Sequence, residues 1–374
     1  MKRPTVLSAA AAALMMAVVG AWSYGNQART AAGPAPAVAP LSDREFWRLS
    51  SSFSEPDGTF HSENLVSNES TFQSVLPELA TTAKPGRAYV GVGSEQNFTY
   101  ITTVRPSIGF IVDIRRGNLD LHLLYKAFFE LSADRAEFVS RLFARPRPAG
   151  LNAKSTAFEI FTAFQSARPS ETLYAENLRA AYAVLGSKHG FPLSEADKEG
   201  MEFVYRAWFT SGPDIRYELT NGFGFGGRRG PGGFPSYADL MTATDDSGRA
   251  RSYLASEENF TLIKTLETRN LLVPVVGNFG GLKALKSIAG YLKSRGLVVS
   301  AFYVSNVEQY LRQNGIWEQF CGNAHTLPVD RTSVFIRSSR GGFAGQGGGP
   351  PRGFGGFGLT LSPIADDVAA CAAR

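Results

Sequence analysis

The chain has 374 residues, 44% hydrophobic and 12% aromatic, enough to fill one large core or two small ones, which excludes a wholly disordered protein. Its formal net charge of +5 includes Lys2 and Arg3. Without those two the excess is about +3 and scattered, too little to point to a nucleic-acid partner.

Lys2 and Arg3 precede an apolar and small-residue run over 6–22, the pattern of a secretory n-region and h-region, with Val19-Gly20-Ala21 as an acceptable cleavage site. Residues 1–28 are therefore expected to direct export. They are either cleaved, leaving the protein in the periplasm, or kept as an anchor in the inner membrane. No second run of this kind occurs, so a membrane is expected to be met only through this segment. ARTAAGPAPAVAP (28–40) follows, and 29–40 reads as an Ala/Pro linker. The folded domain is expected over 41–338. It opens on an amphipathic piece, SDREFWRLS, with Ser42 as N-cap. A polar irregular stretch and an apolar segment over 72–79 complete an arm packed on the core.

The next stretch, RAYVGVGSEQNFTYITTVRPSIGFIVDIRR (87–116), organises the rest. A short apolar run passes into the turn Gly91-Val92-Gly93, a helix is expected over 96–104, and a second apolar run over 108–112 ends on Asp113. Strand, glycine turn, helix, strand and acid is the order of a nucleotide-binding βαβ half. Glycine lets the backbone turn sharply and approach a ligand, the helix N-terminus offers unpaired N–H groups, and the acid accepts hydrogen bonds from ribose hydroxyls. Position 96 is Gln where a dinucleotide fingerprint has its third glycine, which favours the looser pattern of S-adenosylmethionine enzymes over a dinucleotide site. Glycines that merely turn the chain remain the plainer alternative.

After Asp113, Leu121, Leu124, Phe128 and Leu131 recur at helix spacing, then Phe138, Leu142 and Phe143, with Ser132 a candidate cap for the second piece. A helical insertion is expected at about 151–211, its last helix opening on the capping signature Ser194-Glu195-Ala196-Asp197. Two glycine-rich tracts, 221–234 and 340–358, read as loops, and 339–374 as a glycine-rich segment and tail. Residues 237–244 look strand-like. SEENFTLI (256–263) then echoes SEQNFTYI (94–101) at six of eight positions, which fits either an internal duplication or two helices with similar caps. Apolar strands follow over 271–276 and 297–303, with a helix over 282–293 between them, and a last strand over 332–337. Strands alternating with helices predict an α/β, Rossmann-like, mostly parallel sheet with helices on both faces.

Ligands in such sheets bind outside the carboxyl ends of the strands. Gly91, Gly93, Glu95 and Asp113 are the cofactor-binding candidates, with capping as the alternative for Glu95 and Asn97. Asp245, Asp246, Asn278 and Tyr303 are weak catalytic candidates, and Asn306 ends a strand beside them. Asp245 and Asp246 precede Ser247-Gly248, so turn chemistry competes with acid–base work there. His61, His122, His189 and His325 have no metal-ligand spacing, so no metal is expected. Neither a G-x-S-x-G elbow nor a Walker A sequence occurs. Cys321 and Cys371 are left open as a pair or as two separate small apolar residues, because spacing does not supply the Cα separation.

At YVGVGSEQNFTYI, FIVDIRR, LHLLYKAFFELSADRAEFVSRLF, YADLMTATDDSGRARSYLASEENF and VSAFYVSNVEQYL the chain resembles a family of bacterial proteins of unknown function described as having a methyltransferase-like Rossmann core. The resemblance covers roughly residues 43–338. It implies S-adenosylmethionine as cofactor, with Gly91, Gly93 and Asp113 on the cofactor pattern. Asn278 stands where such enzymes keep an Asn/Asp-Pro-Pro loop, without the prolines. Three hypotheses follow. The chain is an enzyme with a methyltransferase-type fold acting on a small molecule, a non-catalytic binding protein of the envelope, or an interaction module built on the arm and glycine loops.

Overall fold

The computed structural model describes residues 38–217, 234–340 and 357–372. The expected export segment, the linker up to residue 37 and most of both glycine tracts lie outside the described residues. α1 (Asp43–Phe53) begins where the Ser42 hydroxyl accepts the Glu45 N–H at 3.2 Å, and it buries Phe46, Leu49 and Phe53. A 3₁₀ turn over Phe72–Val75 runs into α2 (Leu76–Thr82). β1 (Ala88–Gly91), α3 (Gln96–Val104) and β2 (Ile108–Asp113) follow as expected. Both strands are buried along their whole length, which is why they read as unbroken apolar runs.

α4 (Arg116–Leu131) and α5 (Arg135–Phe143) carry the two periodic stretches. Ser132 closes α4, its Oγ donating to the Phe128 carbonyl at 2.7 Å, while Asp134 caps α5 by accepting the Glu137 N–H. α6 (Ala157–Ser166), α7 (Glu171–Tyr182) with a π turn over Ala183–Lys188, and α8 (Glu195–Ser211) make up the helical insertion. The strand expected over 237–244 is instead α9 (Tyr237–Thr242). Ser236 and Asp239 close a reciprocal capping box there, which outweighs the β-forming Tyr and Thr at its ends. α10 (Glu257–Thr268) completes the helical run.

β3 (Leu272–Val276), α11 (Ala284–Ser294) and β4 (Val299–Ser305) follow as expected, and two helices with no expectation from the sequence, α12 (Val307–Gln313) and α13 (Trp317–His325), come after them. β5 (Val334–Arg340), β6 (Phe357–Pro363) and α14 (Ile364–Ala372) end the chain. The sheet order is β3-β2-β1-β4-β5-β6, parallel throughout except for β6, which pairs antiparallel with β5. β3 touches α4 and α1, members of two helical groups, α3/α4/α10 and α1/α11/α13. The fold is Rossmann-like α/β. The domain also reaches past 338, since residues 357–372, expected as a tail, supply an edge strand and a helix. A Cys321–Cys371 disulfide with Cα atoms 5.8 Å apart joins α13 to α14 and decides the open pairing. Closing a loop of that length stabilises a fold by about 4 kcal/mol.

Candidate functional site

The connection from β1 to α3 is held from beneath. The Asn97 amide donates to the carbonyls of Val92, Gly93 and Ser94 at 2.9, 3.3 and 2.8 Å, and its Oδ1 accepts the Tyr89 hydroxyl at 2.9 Å. That last bond passes over Gly91, where a Cβ would lie 1.9 Å from Asn97 Oδ1. Gly91 is therefore required for close packing. Gly93 adopts φ +79°, the left-handed conformation that favours glycine. His122 Nε2 donates to the Gly93 carbonyl at 2.9 Å, and burial lowers its pKa to about 4, so the ring is neutral at pH 7. Its role is to support the turn.

Gly93 and Asp113 open onto a cleft of about 500 Å³ at the carboxyl ends of the strands. β1 and β4, the neighbours at which the strand order reverses, contribute Val92 and Gly93 on one side and Tyr303 and Ser305 on the other. This is the switch-point crevice in which α/β sheets bind ligands. β2 supplies Val112 and Asp113, and the loop after β3 supplies Gly277 and Asn278. Asp113 is buried, and desolvation raises its pKa to about 6, partly offset by the backbone and charge of Arg115. Its Oδ1 accepts the Arg115 N–H at 3.0 Å and its carboxylate also binds the Asn64 side chain. Ser305 lies at φ +50°, a strained conformation for serine at a register shift between β4 and β5.

The arm forms the roof. Glu55 fastens one end, taking the N–H groups of Asn278, Lys283 and Ala284 at 3.0, 2.7 and 3.0 Å. Thr59, Phe60, His61 and Asn64 then line the cleft, and Arg115 holds them from below by donating to the Ser62 carbonyl at 2.6 Å and pairing with Glu63. Glu69 fastens the other end, fully buried, accepting the hydroxyls of Ser305 at 2.7 Å and Tyr303 at 3.0 Å. Desolvation raises its pKa, against which those hydrogen bonds act. At the outer corner, the rings of Phe60, His61 and Tyr310 lie 4.0 to 5.3 Å from one another, half-buried and facing the cleft.

Of the residues singled out from sequence, Gly93, Asp113, Asn278, Tyr303 and Asn306 line this cleft. Gly91 and Glu95 do not. Glu95 is buried beneath the turn without capping α3 through its side chain, and its Oε1 accepts the Ser67 N–H at 3.1 Å. Asp245 and Asp246 lie outside it. Asp245 accepts from Ser247 and Arg249 and pairs with Arg251, which hold its carboxyl below the usual range, and Asp246 accepts the Ser74 hydroxyl. These are turn residues. Asn278 follows β3, at the sheet edge, and its side chain accepts the Gly280 N–H. The strand facing β1 across the switch point is β4, and Tyr303, Ser305 and Asn306 stand at its end in the same cleft. Glu69, Asn64 and the aromatic corner gave no sequence signal, because their partners are remote in the chain. Among the described residues no group of His, Cys, Asp and Glu could hold a metal ion, and no helix is long and apolar enough to cross a membrane.

A family model described as a domain of unknown function, DUF7790, matches residues 64–348. The chain belongs to the DUF7790 family. No curated protein matches it. The DUF7790 span runs from Asn64, at the Asp113 carboxylate, through β5, and so contains the glycine turn, Asp113, Glu69 and the end of β4. The anchor Glu55 and the rings of Phe60 and His61 precede it.

Proposed function

We propose that this DUF7790 protein binds a small nucleoside-like molecule of the S-adenosylmethionine type in the switch-point cleft, on a methyltransferase-like version of the Rossmann fold. The observation that carries the reading is a cleft of about 500 Å³ with Gly93 and the desolvated Asp113 on one wall. That volume suits a single small ligand. The spare acceptor capacity of Asp113 suits ribose hydroxyls, and Phe60, His61 and Tyr310 suit a flat ring. The arm roofs the cleft without filling it, which favours ligand binding over a purely structural interaction module.

The Cys321–Cys371 disulfide favours a second reading. Disulfides persist in oxidising compartments, which agrees with the export pattern of 1–28. S-adenosylmethionine is a cytoplasmic metabolite, so an exported chain would use the cleft as a non-catalytic binding site in the envelope. Calorimetric titration with S-adenosylmethionine and S-adenosylhomocysteine, beside Asp113→Ala, tests the proposal. Micromolar binding lost in the variant supports a cofactor site, and absence of heat at millimolar ligand retires the methyltransferase reading.

A further inference from the structure

In a phosphate-binding α/β site the phosphate lies against the N-terminus of the helix that follows the glycine turn, often with a cationic side chain nearby. Here that helix begins at Glu95, whose carboxylate is fully buried under the turn. Two more buried carboxylates stand beside the same turn. Glu69 reaches it through Gln96, whose Nε2 donates to Glu69 and whose Oε1 accepts the Ser67 hydroxyl, and Asp113 faces it across Asn64. Among the described residues that line the cleft there is no Lys or Arg. The cations bordering it are committed elsewhere. Arg115 serves the Ser62 carbonyl and Glu63, Arg116 pairs with Asp197, and Lys283 donates to the Ser54 carbonyl at 2.9 Å.

We infer that the cleft discriminates against phosphate, and that its ligand is an unphosphorylated, hydroxylated, ring-bearing molecule that is neutral or cationic. This rests on the ligand reading of the cleft given above and narrows it. A phosphate placed at the turn lies against Asp113, with Glu69 and Glu95 buried behind the cleft wall, and finds no cation among the described lining residues to offset its loss of water. A hydroxyl or a cationic centre meets acceptors. The half-buried faces of Phe60 and Tyr310 would add cation–π attraction.

The test is calorimetric titration of the full folded domain with adenosine, S-adenosylhomocysteine and adenosine 5′-monophosphate under one set of salt conditions, repeated with Glu95→Gln. Adenosine or S-adenosylhomocysteine is expected to bind at least about tenfold more tightly than the monophosphate, and Glu95→Gln, which keeps the acceptor for the Ser67 N–H, is expected to narrow that ratio severalfold. A monophosphate that binds as tightly as adenosine overturns the inference and leaves the ligand reading standing. An unchanged ratio in a folded Glu95→Gln variant overturns the role given to Glu95. No binding by any of the three overturns both readings together.

Discussion

Asp113→Asn is expected to make the protein more stable at neutral and higher pH and to weaken binding of the proposed ligand. Burial lifts the Asp113 pKa from 3.8 to about 6, and each unit is worth about 1.36 kcal/mol, so ionising this carboxyl in the folded state costs about 3 kcal/mol relative to the unfolded chain. The folded state holds the proton more tightly than the unfolded one. Wild type therefore loses this stability as pH rises from about 4 through about 6, while Asn has no proton to lose. Oδ1 of Asn can still accept the Arg115 N–H, and the Asn64 amide can turn to face the new group. The variant and wild type should have nearly equal stability at about pH 4, and the variant should lead by up to about 3 kcal/mol at about pH 8. Urea unfolding at several pH values, with a common slope against denaturant, measures the difference directly. A variant less stable than wild type at the higher pH, or a difference independent of pH, would show that Arg115 and Asn64 hold the ionised carboxylate well. The site would then not be under electrostatic strain.

Four other variants probe the turn, its echo and the C-terminal edge. Asn97→Ala removes four side-chain hydrogen bonds, to the carbonyls of Val92, Gly93 and Ser94 and from the Tyr89 hydroxyl, and should cost about 2–4 kcal/mol in urea unfolding. Asn259→Ala, its counterpart in the echo, removes a single side-chain bond to the Ser252 carbonyl and should cost about 1 kcal/mol; equal losses would contradict the assigned roles. His122→Gln can retain a donor to the Gly93 carbonyl. The folded His122 pKa lies near 4, below the free value, so wild type loses about 3 kcal/mol as pH falls from about 6.5 to about 4, a loss the variant should not show. Cys321→Ser should lower stability by up to about 4 kcal/mol and expose residues 357–372 to limited proteolysis, whereas unchanged protection would mean that β5–β6 pairing suffices.

Fold class was legible because its signals are local. Buried parallel strands read as apolar runs, and Gly91, Gly93 and Asp113 lie within one βαβ half. The errors arose where a local signal competed with another or was missing. Tyr237 and Thr242 are β-formers, yet the Ser236–Asp239 capping box makes that segment a helix. β6 follows a glycine tract, so FGLTLSP read as tail although it pairs along the whole of β5. Asp113 was readable from its place at a strand end. Glu69 was not, because its partners Tyr303 and Ser305 lie 234 and 236 positions further along the chain.

The arm shows why a polar stretch can look structureless in sequence and still define a site. Strands that end at a cleft leave backbone groups and hydroxyls facing inward, and buried polar groups must find partners. An apolar cover over those ends would leave them unpaired. The polar sequence SEPDGTFHSENLVSNEST supplies the partners instead. Glu55 satisfies the loop after β3, Asn64 meets Asp113, and Glu69 meets the end of β4. Polarity that argues against a core is here what lets the segment lie over strand ends and still leave room for a ligand. The arm thereby sets the shape of the cleft, with Asn64 at Asp113 on its wall and Glu69 buried behind it.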